Sequence, residues 1–97
     1  MLYKLTSTIF ILFLSSHYIY AKTILVKDHN NNSVEFTYIL NISNDNWSLS
    51  DHNGLAPVPH NTKLNDSLKI QRYGYKTYHM MYNKETTLIY LNPDPVL

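Results

Sequence analysis

Residues 34–42, Val34-Glu35-Phe36-Thr37-Tyr38-Ile39-Leu40-Asn41-Ile42, decide the fold class, because their apolar side chains recur with a period of two. Val34, Phe36, Tyr38, Leu40 and Ile42 form one face of an extended chain. Glu35, Thr37 and Asn41 form the other, with Ile39 the one apolar residue out of phase. A helix would scatter both sets around its circumference, so this segment is a strand.

Working outward, Thr23–Lys27 is a short β-prone run that ends in the turn-forming cluster from Asp28 to Ser33. On the other side, Trp47 and Leu49 alternate with Ser48 and Ser50 until Asp51-His52-Asn53-Gly54, where the Asn-Gly pair predicts a tight hairpin. The strand that begins at Leu55 is interrupted by Pro57 and Pro59, which lack amide donors and place it at a sheet edge or in a loop. Leu68 and Ile70 alternate with Lys69 and Gln71 as a further half-buried strand, and Gly74 reads as a bulge or a close backbone approach. Tyr75–Tyr82 is apolar on both faces, which predicts a central strand. Thr86–Leu91 closes the set, and Asn92-Pro93-Asp94-Pro95 cannot continue a ladder. The sum is an all-β chain, a small antiparallel β-sandwich of about seven strands, since a single sheet would leave one apolar face without cover.

The N-terminal segment has a different character. Lys4 supplies a positive start, Ile9–Leu14 an apolar run, and Ser15, Ser16 and Ala21 small residues near a cleavage point. Residues 1–21 are therefore expected to be a cleavable signal helix and residues 22–97 the mature domain. The run is too short to span a hydrocarbon core of ~30 Å. The function is expected outside the cytoplasm, in the periplasm, at the periplasmic side of the outer membrane, or in the medium.

Composition narrows the chemistry. Lys4 aside, seven Lys and Arg balance seven Asp and Glu, so no basic patch argues for nucleic acid. Cysteine is absent, which removes disulfides, thiolate metal sites and thiol nucleophiles. Export without cysteine, in a chain heavy in Asn, Ile, Tyr and Lys, fits a bacterial envelope protein of an AT-rich genome. His29, His52, His60 and His79 have no spacing that converges on one metal, and Asp51 with Asn53 lacks the later acidic ligand of a calcium loop. No Ser sits in a nucleophile elbow and no pair of acids is placed in a cleft, so neither a catalytic residue nor a cofactor site is assigned. Trp47, Tyr73, Tyr75 and Tyr78 are the candidate binding face, since flat amphipathic rings suit glycan or peptide; the alternative is a Tyr-rich core with its hydroxyls at the surface.

Four short motifs occur in order: Ser50-Asp51-His52-Asn53-Gly54, Asp66-Ser67-Leu68, Gly74-Tyr75-Lys76-Thr77 and Leu91-Asn92-Pro93. With these, residues 23–94 resemble the carboxypeptidase regulatory-like domain, the transthyretin-like β-sandwich at the N-terminus of TonB-dependent outer-membrane receptors of the Bacteroidetes type. The resemblance implies a transthyretin-like or immunoglobulin-like sandwich whose motif residues are Asp51, Gly54, Asp66, Leu68, Gly74, Tyr75, Lys76, Leu91 and Pro93. Ala56 departs from the pattern, which has an aromatic two residues after the turn glycine, and Pro57, Pro59 and His60 lengthen that loop. A receptor continues through a plug and a barrel, so a chain ending at Leu97 is expected to be a stand-alone copy, a truncated relative or a fragment. The implied role is that of a non-enzymatic accessory module with a protein partner in the envelope, touching the membrane only through a larger receptor. The alternative is a free-standing exported glycan- or peptide-binding protein.

Overall fold

Seven short strands follow one another in the computed structural model, which describes residues 22–95: β1 (Thr23–Asp28), β2 (Tyr38–Asn41), β3 (Trp47–Leu49), β4 (Leu55–Pro57), β5 (Ser67–Gln71), β6 (Tyr78–Met81) and β7 (Leu88–Leu91). The expected signal helix over residues 1–21 lies outside the described residues. Strands β4-β1-β7 form a three-stranded sheet and β3-β2-β5-β6 a four-stranded one. Ile24, Val26, Ala56, Ile89 and Leu91 of the first join Ile39, Leu68 and Ile70 of the second in one core. The small all-β sandwich of the sequence reading is the fold. Each fully buried Ile or Leu contributes about 1.5–3 kcal/mol, so in a domain this small nearly every inward position matters. One ladder departs from the expected antiparallel pairing: β7 runs parallel alongside β1 with Val26 opposite Ile89. It returns to that sheet only after the chain has traversed the other, so no tight turn dictates its direction.

The inward face of the larger sheet is the opposite of the one the alternation suggested. Thr37, Ile39 and Asn41 are fully buried, whereas Phe36 and Ile42 are exposed and Tyr38 and Leu40 half-buried. Phe36 is the cause. Its backbone takes φ 62° inside a turn at residues 35–36, so buried Val34 and buried Thr37 are three residues apart instead of two, and every later position changes face. The same inversion continues across the ladder into β3, where Ser48 and Ser50 point inward and Trp47 and Leu49 outward. Both inward hydroxyls are satisfied: Ser48 Oγ donates to Pro57 O at 2.6 Å and Ser50 Oγ to Val34 O at 2.6 Å.

Three further expectations are corrected. Asp51–Gly54 joins β3 to β4, strands of different sheets, so it is a corner between layers and not a hairpin. Asp51 Oδ1 accepts the Asn53 and Leu55 amides and fixes that corner. Gly74 marks no close approach, because nothing lies within 4 Å of where its Cβ would be, and no bulge, because it lies between β5 and β6 and outside both. It supplies φ +89° to the turn closed by Tyr75 N–H donating to Arg72 O at 3.0 Å. Finally β6, the product of the doubly apolar Tyr75–Tyr82 segment, is an edge strand, paired among the described residues with β5 alone. The next strand in the chain, β7, goes to the other sheet instead of covering it.

Among the described residues, one buried side-chain polar atom is unpaired. Thr37 Oγ1 has no hydrogen-bond partner, although Thr37 is fully buried. An unmet buried hydroxyl costs about 1–3 kcal/mol, and valine keeps the branched shape. Thr37→Val is therefore expected to stabilise the domain by about 1 kcal/mol in urea unfolding. A comparable loss would show that the hydroxyl is engaged in solution.

Candidate functional site

Backbone groups of a strand in an antiparallel ladder point alternately to either side. The Tyr82 N–H donates to Asp66 O at 2.9 Å and Tyr82 O accepts the Asn65 N–H at 2.8 Å, so Tyr82 faces β5. The same parity turns Tyr78 and Met80 toward β5 and leaves the N–H and C=O groups of His79 and Met81 on the outer edge. On β7, Thr87 O accepts the Leu25 N–H at 2.8 Å, which turns Leu88 and Tyr90 outward. Just beyond β7, Asn92 O accepts the Lys76 N–H at 2.9 Å, and the Asp94 N–H donates to Gly74 O at 3.0 Å. This clip joins the two sheets at one end of the flank and leaves β6 and β7 open along their length.

The opposite flank is guarded. Pro57 has no amide to offer, Pro57 O accepts from Ser48 Oγ, and Leu55 O accepts the Asp51 N–H at 2.8 Å. Strand β3 is only three residues long. Proteins blunt sheet edges with proline, charge or brevity, and β4 and β3 use the first and last of these. Strands β6 and β7 contain no proline and no Lys, Arg, Asp or Glu. Their exposed side chains include Tyr78, Met81, Leu88 and Tyr90. An unguarded apolar edge of this kind is suited to receiving another strand.

The outer face of the four-stranded sheet is the second feature. Ladder register sets Trp47, Leu40, Lys69 and His79 in one row and Leu49, Tyr38 and Gln71 in the next. The Tyr38 and Trp47 ring centroids lie 5.7 Å apart at 38°. At one end of this face Phe36, Tyr38, Gln71, Arg72, Tyr73 and Thr77 line an open groove.

The four residues expected as a binding face do not share one. Trp47 projects from the outer face of the larger sheet. Tyr78 stands opposite Ile70 and so points toward the core side at the sheet edge. Tyr75 is half-buried and packs against the core, and Tyr73 lines the groove. Phe36 and Tyr38 were missed because the alternation grouped them with the inward apolar side chains, and Arg72 because a single cation makes no local pattern.

The motif residues hold the fold together. Leu68 and Leu91 are core residues, Gly54 sits beneath β1, and Asp51 fixes the inter-sheet corner. Asp66 accepts from Asn41 Nδ2 at 2.9 Å. Tyr75 bridges Pro93, which brings Gly74-Tyr75-Lys76 and Leu91-Asn92-Pro93 together at the clip. No cluster of three His, Cys, Asp or Glu able to hold a metal occurs among the described residues. No helix among them is long and apolar enough to cross a membrane. Comparison of the chain with protein-family models, with curated proteins and with solved structures gives no match.

Proposed function

We propose that this protein is a non-catalytic, exported β-sandwich module that works by protein interaction in a bacterial envelope, as an accessory domain of a TonB-dependent receptor or a relative of one. The resemblance of its four motifs and the signal-like N-terminus support the location and the class. One observation carries the interaction itself. The segment Tyr75–Tyr82 is apolar on both faces, as in a strand from the middle of a sheet, yet among the described residues β6 has a neighbour on one side only. A partner strand lying along His79 and Met81 would complete the sheet and cover the exposed Tyr78 and Met81 side chains. Main-chain hydrogen bonds would give such a complex its affinity, and alternate side chains its specificity.

The test uses proline. At positions 79 and 81 the amide points away from β5, so proline removes what a partner needs and spares the internal ladder. Native size-resolved blots of envelope fractions are expected to show the wild-type protein in a larger assembly and His79→Pro and Met81→Pro at their own mass. The unfolding free energies of the variants should stay within about 1 kcal/mol of wild type. Persistence of the assembly in both variants would refute strand addition at β6. A wild-type protein running at its own mass in every fraction would refute the interaction reading.

A further inference from the structure

We propose that the groove lined by Phe36, Tyr38, Gln71, Arg72, Tyr73 and Thr77 is a binding site for an acidic saccharide, with Arg72 pairing to a sugar carboxylate and the rings packing on sugar faces. The site is separate from the β6 edge and independent of strand addition there.

The first argument is backbone strain. Asn31, Phe36, Asp45, Asn61 and Asn65 are the non-glycine residues with positive φ among those described. Four of the five are Asn or Asp, which tolerate the left-handed region; a bulky aromatic does not. Phe36 is held there all the same: its N–H donates to Ser50 O at 3.0 Å, the Thr37 N–H donates to Ser50 Oγ at 2.8 Å, and Arg72 Nε donates to Glu35 O at 2.7 Å. The strain brings no burial in return, because Phe36 is 62% exposed. Glycine or asparagine would serve the turn better, so the ring is explained by something it meets outside the fold.

The second argument is charge. Arg72 is the chain's single arginine and, among the described residues, the only charged one lining the groove. Its Nε bond to Glu35 O pins the guanidinium, while its Nη groups have no partner among the described residues. A pinned fork with free ends matches a carboxylate in two parallel hydrogen bonds.

Shape and chemistry then choose the ligand. The groove is open to solvent and offers about 490 Å³, a volume within the ~300–1,000 Å³ of small-ligand sites. Tyr73 is 81% exposed beside it and Tyr38 is backed by Trp47. Flat rings take the C–H faces of a pyranose, and Gln71 and Thr77 supply amide and hydroxyl groups for its hydroxyls. An extended peptide gains less here, because the groove lies on a sheet face where the ladder already uses the backbone.

The experiment titrates the protein with oligogalacturonate, oligoalginate and hyaluronan fragments by calorimetry, with methyl-esterified oligogalacturonate and a hexaglutamate peptide for comparison. Saturable binding of at least one uronate is expected, with esterification, Arg72→Lys and Tyr73→Ala each weakening binding about tenfold or more. Phe36→Gly is expected to raise the unfolding midpoint while weakening binding, the opposite of what loss of a structural residue does. His79→Pro should bind normally, which keeps this test distinct from that of the β6 edge. No saturable binding to any of the three uronates would overturn the proposal. So would equal binding of the ester, tighter binding of the peptide, or full binding by Phe36→Gly.

Discussion

Gly54→Ala is expected to leave the domain largely unfolded at room temperature. Gly54 is buried with φ +79°, and a Cβ there would stand 2.5 Å from Val26 O and 3.2 Å from Ser33 Cβ. The backbone oxygen cannot move aside, because Val26 O accepts the Val34 N–H at 3.0 Å and the Val26 N–H donates to Gly54 O at 2.7 Å. The substitution must therefore pull β4 away from β1 at the corner where the chain changes sheets. Left-handed strain of about 1–2 kcal/mol adds to the broken contacts. A total above about 4 kcal/mol rivals the whole stability of a domain of this size. Gly74→Ala is the control. Its φ of +89° is equally unfavourable to a side chain but the space is open, so the cost should be about 1 kcal/mol. Urea unfolding of the two variants separates the effects, and equal costs would mean that Gly54 is not pressed against β1.

Asn41→Ala is expected to cost about 2–4 kcal/mol, the second largest effect. Asn41 is fully buried at the end of β2, with Nδ2 donating to Thr62 Oγ1 at 3.0 Å and Asp66 Oδ2 at 2.9 Å, while Oδ1 accepts the Ser43 N–H at 2.9 Å. Removing the amide strands three partners and opens a gap between the sheet and the loop before β5. The same amide is the main cause holding the Asp66 carboxyl below its ordinary range, helped by the Lys63 N–H. Because the folded pKa lies below the unfolded one, this contribution is complete above the unfolded value and disappears as pH falls through the folded value. Asp28, lowered chiefly by the Asn32 N–H, acts in the same direction. Stability should accordingly decline below about pH 4, and the Asn41→Ala variant should show a shallower decline. An acid limb as steep as that of wild type would show that Asn41 does not stabilise the Asp66 carboxylate.

Much of the fold was legible because period-two alternation reports extended chain whichever face is buried. Leu68 and Ile70 in β5 and the proline-marked edge at β4 were readable for that reason. The faces of β2 and β3 were not. Polarity argued that Thr37, Asn41, Ser48 and Ser50 point outward, but each is buried. Asn41, Ser48 and Ser50 have hydrogen-bond partners supplied by distant loops and strands, which a local pattern cannot anticipate. The positive φ of Phe36 that shifts the parity is a conformation no aromatic advertises. The groove was hidden by the same inversion. The β6 edge was half visible: its doubly apolar composition was seen, and a second neighbour within the chain was inferred from it. That neighbour is what β6 lacks among the described residues, and the functional proposal rests on the difference.

Residue-resolved amide hydrogen exchange of the free, dilute protein tests that difference most directly. The expected pattern is alternating: Met80 exchanges slowly through its bond to β5 and Tyr82 through its bond to Asp66 just before it, while His79 and Met81 exchange nearly as fast as exposed amides. Slow exchange at His79 and Met81 in the free protein would mean that the edge already has its neighbour, and the account of β6 as an acceptor of a partner strand would fail.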